Sequence, residues 1–287
     1  IYAVLLPLQW AVKKVLQQPE KLKETLETCL VDQPSKFIEG QYYELLLNYN
    51  KAIRLYKEAI KNYPEAAGKG KEGAAYIKNI LANIYFGRGR YDDALKIYCE
   101  VKEVYEELNW PLSKAEINSN LGAVHTEKGD YKEAIKIYEE SKKLLPSSSL
   151  LAAKNWNNLG NVYFKQRHYK DALDAYQKSK NIKIAIHGAK HIEVASSLNN
   201  LGNTYRALGN YIKALEAHEE AKEIRIATHG GEHIAVADSW YGLGYIYFRQ
   251  GKHDEALTAY EEAERIRANF NQVDQPFMAM LWTKIGL

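Results

Sequence analysis

Ser197-Leu198-Asn199-Asn200-Leu201-Gly202-Asn203-Thr204-Tyr205 is followed by Gly209-Asn210-Tyr211 and then by Ala214, His218 and Ala221. Forty-two residues later the pattern returns as Ser239-Trp240-Tyr241-Gly242-Leu243-Gly244-Tyr245-Ile246-Tyr247, with Gly251, Ala256, Tyr260 and Ala263. Working outward, Gly40, Ala82, Gly122, Gly160, Gly202, Gly244 and Gly286 align at spacings of 42, 40, 38, 42, 42 and 42. Three residues after this small residue stand Tyr43, Tyr85, His125, Tyr163, Tyr205 and Tyr247, and nine after it Tyr49, Tyr91, Tyr131, Tyr169, Tyr211 and His253. Alanine follows at twelve in all six repeats, and sixteen places on come Tyr56, Tyr98, Tyr138, Tyr176, His218 and Tyr260. Within a repeat the offsets of three, four and seven fall into two runs with a break between them, the period of one face of an α-helix. Each repeat therefore reads as a helical hairpin. Gly89, Gly129, Gly209 and Gly251 in the break supply a helix stop and turn. One hairpin cannot bury its apolar face alone, so neighbours must stack.

These residues resemble the tetratricopeptide repeat. Leu121-Gly122, Leu159-Gly160, Leu201-Gly202 and Leu243-Gly244 match its core dipeptide, Trp156 and Trp240 occupy or adjoin its aromatic slot, and Pro64 and Pro146 match its closing proline. The 40- to 42-residue period and the connectors His187-Gly188 and His229-Gly230-Gly231 are similar to the kinesin light chain class and to adaptors used in spindle orientation. The resemblance implies an all-α, right-handed superhelical solenoid of such hairpins over residues 37–287, with about six full repeats. Trp282, Ile285 and Gly286 read as the opening of a seventh. Residues 1–36 fit poorly and are expected to form a helical cap or a degenerate repeat.

Composition agrees with a large buried core: 287 residues, 46% hydrophobic and 11% aromatic. The formal net charge of +3 offers no concentrated basic field for duplex nucleic acid or an anionic membrane, so neither is an expected partner. Two cysteines, Cys29 and Cys99, rule out a disulfide framework, read as small buried residues, and point to a reducing, cytoplasmic setting. The apolar stretch from Ile1 to Val12 is broken by Pro7, Gln9 and Trp10 and is too short to span a membrane. A first residue of Ile rather than Met suggests a piece of a longer protein.

By the same resemblance, the first helix of each hairpin lines a concave surface, and asparagine is what remains there once the packing positions are removed. Asn79, Asn157 and Asn199 lie three before the small residue, Asn120, Asn158 and Asn200 two before it, and Asn83, Asn161 and Asn203 one after it. Offsets of minus three and plus one share one helical stripe. Asparagine is a mediocre helix former, so its recurrence needs a reason. A carboxamide offers a donor and an acceptor together, which suits the backbone of an extended peptide; bonding between adjacent repeats is the competing explanation, above all for the minus-two positions. Further along these helices Phe164 and Phe248 add apolar surface, Lys154, Lys165, Arg206 and Arg249 add positive charge, and Tyr241 and Tyr245 replace asparagine in the sixth repeat. An acidic segment with an apolar anchor would suit that lining.

No cofactor, metal or catalytic residue is expected. His187-Gly-x-x-His191 and His229-Gly-x-x-His233 lack the intervening Glu of the helical zinc motif and read as repeated loop closures. His125, His218 and His253 stand at aromatic packing positions and read as packed rings. Gly68-Lys69-Gly70-Lys71-Glu72-Gly73 lacks the Lys-Ser/Thr ending of a phosphate loop and reads as an inter-repeat loop. The expected function is thus a non-enzymatic scaffold binding a peptide segment or partner helix in an Asn-rich groove. The alternatives are a ligand-sensing arm of a larger signalling protein and, less favoured, an RNA-binding helical repeat.

Overall fold

The computed structural model describes residues 35–45, 47–61 and 69–269. Twelve helices and no strands occur among the described residues: α1 Ser35–Leu45, α2 Tyr49–Lys61, α3 Lys69–Gly87, α4 Tyr91–Glu107, α5 Pro111–Lys128, α6 Tyr131–Lys143, α7 Leu150–Lys165, α8 Tyr169–His187, α9 Ile192–Ala207, α10 Tyr211–His229, α11 Ile234–Arg249 and α12 His253–Ala268. They alternate as first and second helices of six hairpins. The chain divides into two compact units, Ile1–Ile137 and Tyr138–Leu287. In the first, α1 to α5 each pack on the next; in the second, α7 to α12 do the same, and α9 also touches α11. The expected N-terminal cap and the opening of a seventh repeat lie outside the described residues.

Every hairpin turns through a residue with positive φ seven places after the small residue. Four of these are the glycines the sequence marked, with φ between 71° and 84°. The other two are Leu47 at 57° and Arg167 at 62°. An L side chain costs energy in this left-handed region, so the packing of the two helices, rather than the turn residue, imposes the conformation there. Local chemistry starts several helices: Pro111 opens α5, Ser149 Oγ accepts from Ala152 N at 3.1 Å, and Asn210 Oδ1 accepts from Lys213 N at 3.2 Å.

The small residue opening each repeat has a different task from the one its pattern suggests. Instead of merely admitting a close approach of two helix axes, it makes room for the ring sixteen places later. A Cβ on Gly160 would meet Tyr176 Cε1 at 2.5 Å, one on Gly40 would meet Tyr56 at 2.6 Å, and one on Gly244 would meet Tyr260 at 3.0 Å. Tyr56, Tyr176 and Tyr260 are accordingly buried, each a ring held inside its own hairpin, and Tyr98 and Tyr138 at the same position are buried as well.

Consecutive hairpins of the second unit are joined by a buried cation that the sequence reading passed over. Lys183 Nζ donates to the carbonyl of Glu193 at 3.1 Å and to Ser197 Oγ at 3.2 Å. Forty-two residues on, Arg225 donates to the carbonyl of Ala235 and to Ser239 Oγ, both at 2.8 Å. Each second helix is thereby pinned to the first helix of the following hairpin, and Lys183 also pairs with the Glu193 carboxylate at 3.4 Å. The signal was a cation recurring twenty-three places after Gly160 and Gly202 opposite a recurring serine.

Three expectations are corrected. Cys99 is exposed rather than buried, because its position on α4 faces away from the neighbouring helices; Cys29 lies outside the described residues. The Gly- and Lys-rich stretch enters helix α3 at Lys69 instead of forming a loop throughout, since burial of Ala75 and Ile77 carries the helix through its glycines. His253 is exposed, and its ring only edges against Phe248 at 5.7 Å. The paired connector histidines stack on each other, with ring centroids 4.1 Å apart in His187–His191 and 4.3 Å in His229–His233. His191 and His233 Nδ1 accept from Glu193 N and Ala235 N at 3.2 Å, so these rings start α9 and α11.

Candidate functional site

The asparagines do occupy the first helices, but most are already engaged. In the first unit, Asn120 Nδ2 on α5 donates to Asn79 Oδ1 on α3 at 3.3 Å, and the buried Tyr98 hydroxyl donates to Asn83 Oδ1 at 2.5 Å. The second unit repeats both bonds. Asn200 on α9 donates to Asn157 Oδ1 on α7 at 2.9 Å, and Tyr176 donates to Asn161 Oδ1 at 2.8 Å. A minus-two asparagine thus holds the minus-three asparagine of the preceding repeat, and a plus-one asparagine satisfies the ring that its own hairpin buries. Burial pushes the phenols of Tyr98 and Tyr176 well above the usual tyrosine range, as expected for hydroxyls held neutral inside the fold. Asn158 is half-buried, and its side chain has no hydrogen-bond partner among the described residues.

The fifth repeat departs from this scheme. Its ring is His218, which is 1% exposed, and both its nitrogens lack hydrogen-bond partners. The imidazole lies between two glycines: a Cβ on Gly202 of α9 or on Gly242 of α11 would stand 2.7 Å from ring atoms. Burial, with help from the nearby Arg206 and Arg225, lowers its pKa to about 4, so the ring is neutral near neutral pH. Asn199 and Asn203, at the minus-three and plus-one positions of this repeat, are half-buried, and their side chains make no hydrogen bond among the described residues.

Beside them the arginines and tyrosines form one group. The Arg206 guanidinium sits 4.3 Å over the Tyr245 ring, and Arg249 donates to the Tyr245 hydroxyl at 3.1 Å while lying 5.9 Å from the centre of Tyr211. Among the described residues no carboxylate pairs with either arginine. Tyr241 is turned edge-on to Tyr260 at 5.4 Å, with Arg267 5.3 Å over its face. Phe164 packs against Tyr169 at 5.4 Å, which ties part of its apolar surface to its own hairpin. Lys154 and Lys165 are exposed. The structure therefore gathers Asn199, Asn203, Arg206, Tyr245 and Arg249 on adjoining first helices, while Asn79, Asn83 and Asn120 belong to the first unit and are described apart from them.

Two models of the tetratricopeptide repeat match this sequence, one over residues 72–147, 150–227 and 193–269 and the other over residues 39–103. The chain belongs to the tetratricopeptide repeat family. No curated protein matches it. Among solved structures, this tetratricopeptide repeat chain is similar to a kinesin light chain-like protein of nearly identical repeats from Podosopora anserina, with 20% identity, 68% of this chain and 94% of that one covered, and a TM-score of 0.57. It is also similar to the apo form of RapI, with 18% identity, 92% and 76% coverage and a TM-score of 0.63. A third similar structure is the Cut9–Hcn1 hetero-tetramer of the APC/C, with 17% identity and a TM-score of 0.63, where 88% of this chain matches 44% of the other. At these identities the likeness establishes the repeat fold. No described helix is long and apolar enough to cross a membrane.

Proposed function

We propose that this tetratricopeptide repeat chain is a non-enzymatic, cytoplasmic interaction scaffold that holds an extended peptide segment of a partner protein against the first helices of its hairpins. The reading rests chiefly on Arg206 and Arg249, which are organised by Tyr245 and have no carboxylate partner among the described residues. Positive charge left uncompensated next to unengaged amides suits an acidic segment, and the half-buried rings of Tyr241, Phe164 and Phe248 on the first helices are the apolar anchor points this reading assigns to it.

The test is a display selection of random peptides on the chain, followed by affinity measurements for the enriched sequences. Arg206→Glu/Arg249→Glu should weaken binding by about tenfold or more and change its salt dependence. Lys170→Glu, on an exposed part of α8, should leave it unchanged. The reverse pattern would transfer binding to the second helices, and failure to enrich any peptide would refute the reading.

A further inference from the structure

The joint between the fifth and sixth hairpins lacks two polar ties that earlier repeats possess. Asn120 on α5 bonds Asn79 on α3, and Asn200 on α9 bonds Asn157 on α7, so an amide links the first helices of successive hairpins there. Gly242 holds that position on α11, and no amide reaches back to α9. Tyr98 and Tyr176 bond asparagines of their own hairpins, whereas His218 takes their place with both nitrogens unpartnered. Fit closes this joint instead. A Cβ on Gly202 of α9 would stand 2.7 Å from Nε2 of the ring, and one on Gly242 of α11 would stand 2.7 Å from Cε1 and 2.8 Å from Nδ1. The two glycines leave the imidazole just enough room, and no acceptor stands beside either nitrogen.

A neutral imidazole has one N–H and one lone pair to satisfy, and a second proton turns both nitrogens into donors and adds a buried charge. The charged groups that act on it are Arg206 from α9 and Arg225 from α10 itself, both cationic. Of the carboxylates on these helices, Glu193 is held by Lys183, Glu219 by Lys222 and Asp238 by Arg267, while Glu216, Glu220 and Glu223 are exposed. On α11 the Tyr241 and Tyr245 rings lie under Arg267 and Arg206, and Arg249 adds a further cation. Nothing in the closed joint is placed to neutralise an imidazolium.

We infer that His218, wedged between Gly202 and Gly242, makes the joint between the fifth and sixth hairpins an acid-sensitive hinge: the neutral ring keeps α9 and α11 closed about it, and a proton drives them apart. The pivot is Arg225, which pins the end of α10 to the start of α11 through the Ala235 carbonyl and Ser239. Opening about that pin parts the far ends of α9 and α11, where Arg206 lies 4.3 Å over the Tyr245 ring. Water then reaches the imidazolium and supplies the acceptors that the closed joint withholds. The closed ring titrates at about 4 and a solvated one at about 6.5, so the opening equilibrium rises about thirtyfold between about pH 7.5 and about pH 5. No ligand takes part, so the hinge stands independently of what the first helices bind. It alters any surface that spans α9 and α11.

The experiment is hydrogen–deuterium exchange of the whole 287-residue chain, read by mass spectrometry across that pH range and corrected for the chemical exchange rate at each pH. A hairpin that loses its neighbour cannot hold its helices alone, so opening shows as lost amide protection. Peptides on either side of Gly251, in the halves of α11 and α12 away from the Arg225 pin, should lose protection about thirtyfold on acidification, while peptides of α7 keep theirs. His218→Phe should abolish the acid-induced loss, and His218→Leu makes the same test if the larger ring prevents folding. Unchanged protection around Gly251, or an equal loss along α7 to α12, in the unsubstituted chain would overturn the hinge without recourse to any variant. The same acid-induced loss in a folded His218→Phe or His218→Leu chain would overturn His218 as its trigger. Loss greatest at the start of α11 would overturn Arg225 as its pivot.

Discussion

Tyr176 donates its hydroxyl to Asn161 Oδ1 at 2.8 Å, although the two residues lie on different helices of one hairpin. The equivalent pair in the next repeat, His218 and Asn203, makes no such bond. The same asparagine column is therefore structural in one repeat and unoccupied in the next. Asn161→Ala should destabilise the chain by roughly 1 to 3 kcal/mol, since it strands a buried hydroxyl, whereas Asn203→Ala should change stability by no more than about 0.5 kcal/mol. Urea denaturation of both variants checks this contrast, and equal losses would refute the assignment of separate roles.

Substitution at the small residue should be graded by the space beside it. Gly160→Ala would place a methyl 2.5 Å from Tyr176, while Gly244→Ala would meet Tyr260 at 3.0 Å. The first should cost about 1 to 3 kcal/mol and the second less. Thermal melts that ranked the pair in the opposite order would show that the rings move aside more readily than their burial implies.

The buried cations provide an internal control. Lys183 and Arg225 make equivalent bonds, so Arg225→Lys should be tolerated, whereas Arg225→Ala should cost roughly 1.5 to 3 kcal/mol by releasing the Ala235 carbonyl and Ser239 together. Denaturant midpoints for the two variants separate a cation-specific staple from simple packing, for which both losses would be similar.

His218 should make stability depend on pH. Its folded pKa is lowered from 6.5 to about 4, so in that interval the unfolded chain binds more protons than the folded one. Stability from this group is present above pH 6.5 and is lost progressively as pH falls towards 4, by up to roughly 3 kcal/mol. His218→Tyr should remove that part of the slope while the carboxylates keep theirs. Identical stability profiles for the two proteins between pH 7 and 4 would disprove it.

Arg167 is exposed and occupies a turn position with φ of 62° where four other repeats carry glycine. Arg167→Gly should relieve the left-handed strain and stabilise the chain by up to about 1 kcal/mol. A lower melting temperature would show that the Arg167 side chain contributes more than its backbone costs.

The periodic columns Gly/Ala, Tyr and Ala were sufficient to identify the hairpins, their order and most turns, because each repeat obeys the same helical spacing and the same turn chemistry. The positive φ at Leu47 and Arg167 could not be read locally, since both residues disfavour it and only the packed helices enforce it. The asparagines were placed on the right helices by spacing alone, yet spacing could not say whether an amide served the scaffold or faced a ligand. That depends on what stands across from it: Tyr176 for Asn161, Asn200 for Asn157, and His218 and Gly242 for Asn203 and Asn199. These partners lie in other helices, so tertiary packing alone decided which amides the scaffold already engages, for a hydrogen bond depends on the distance between groups that the chain order does not specify.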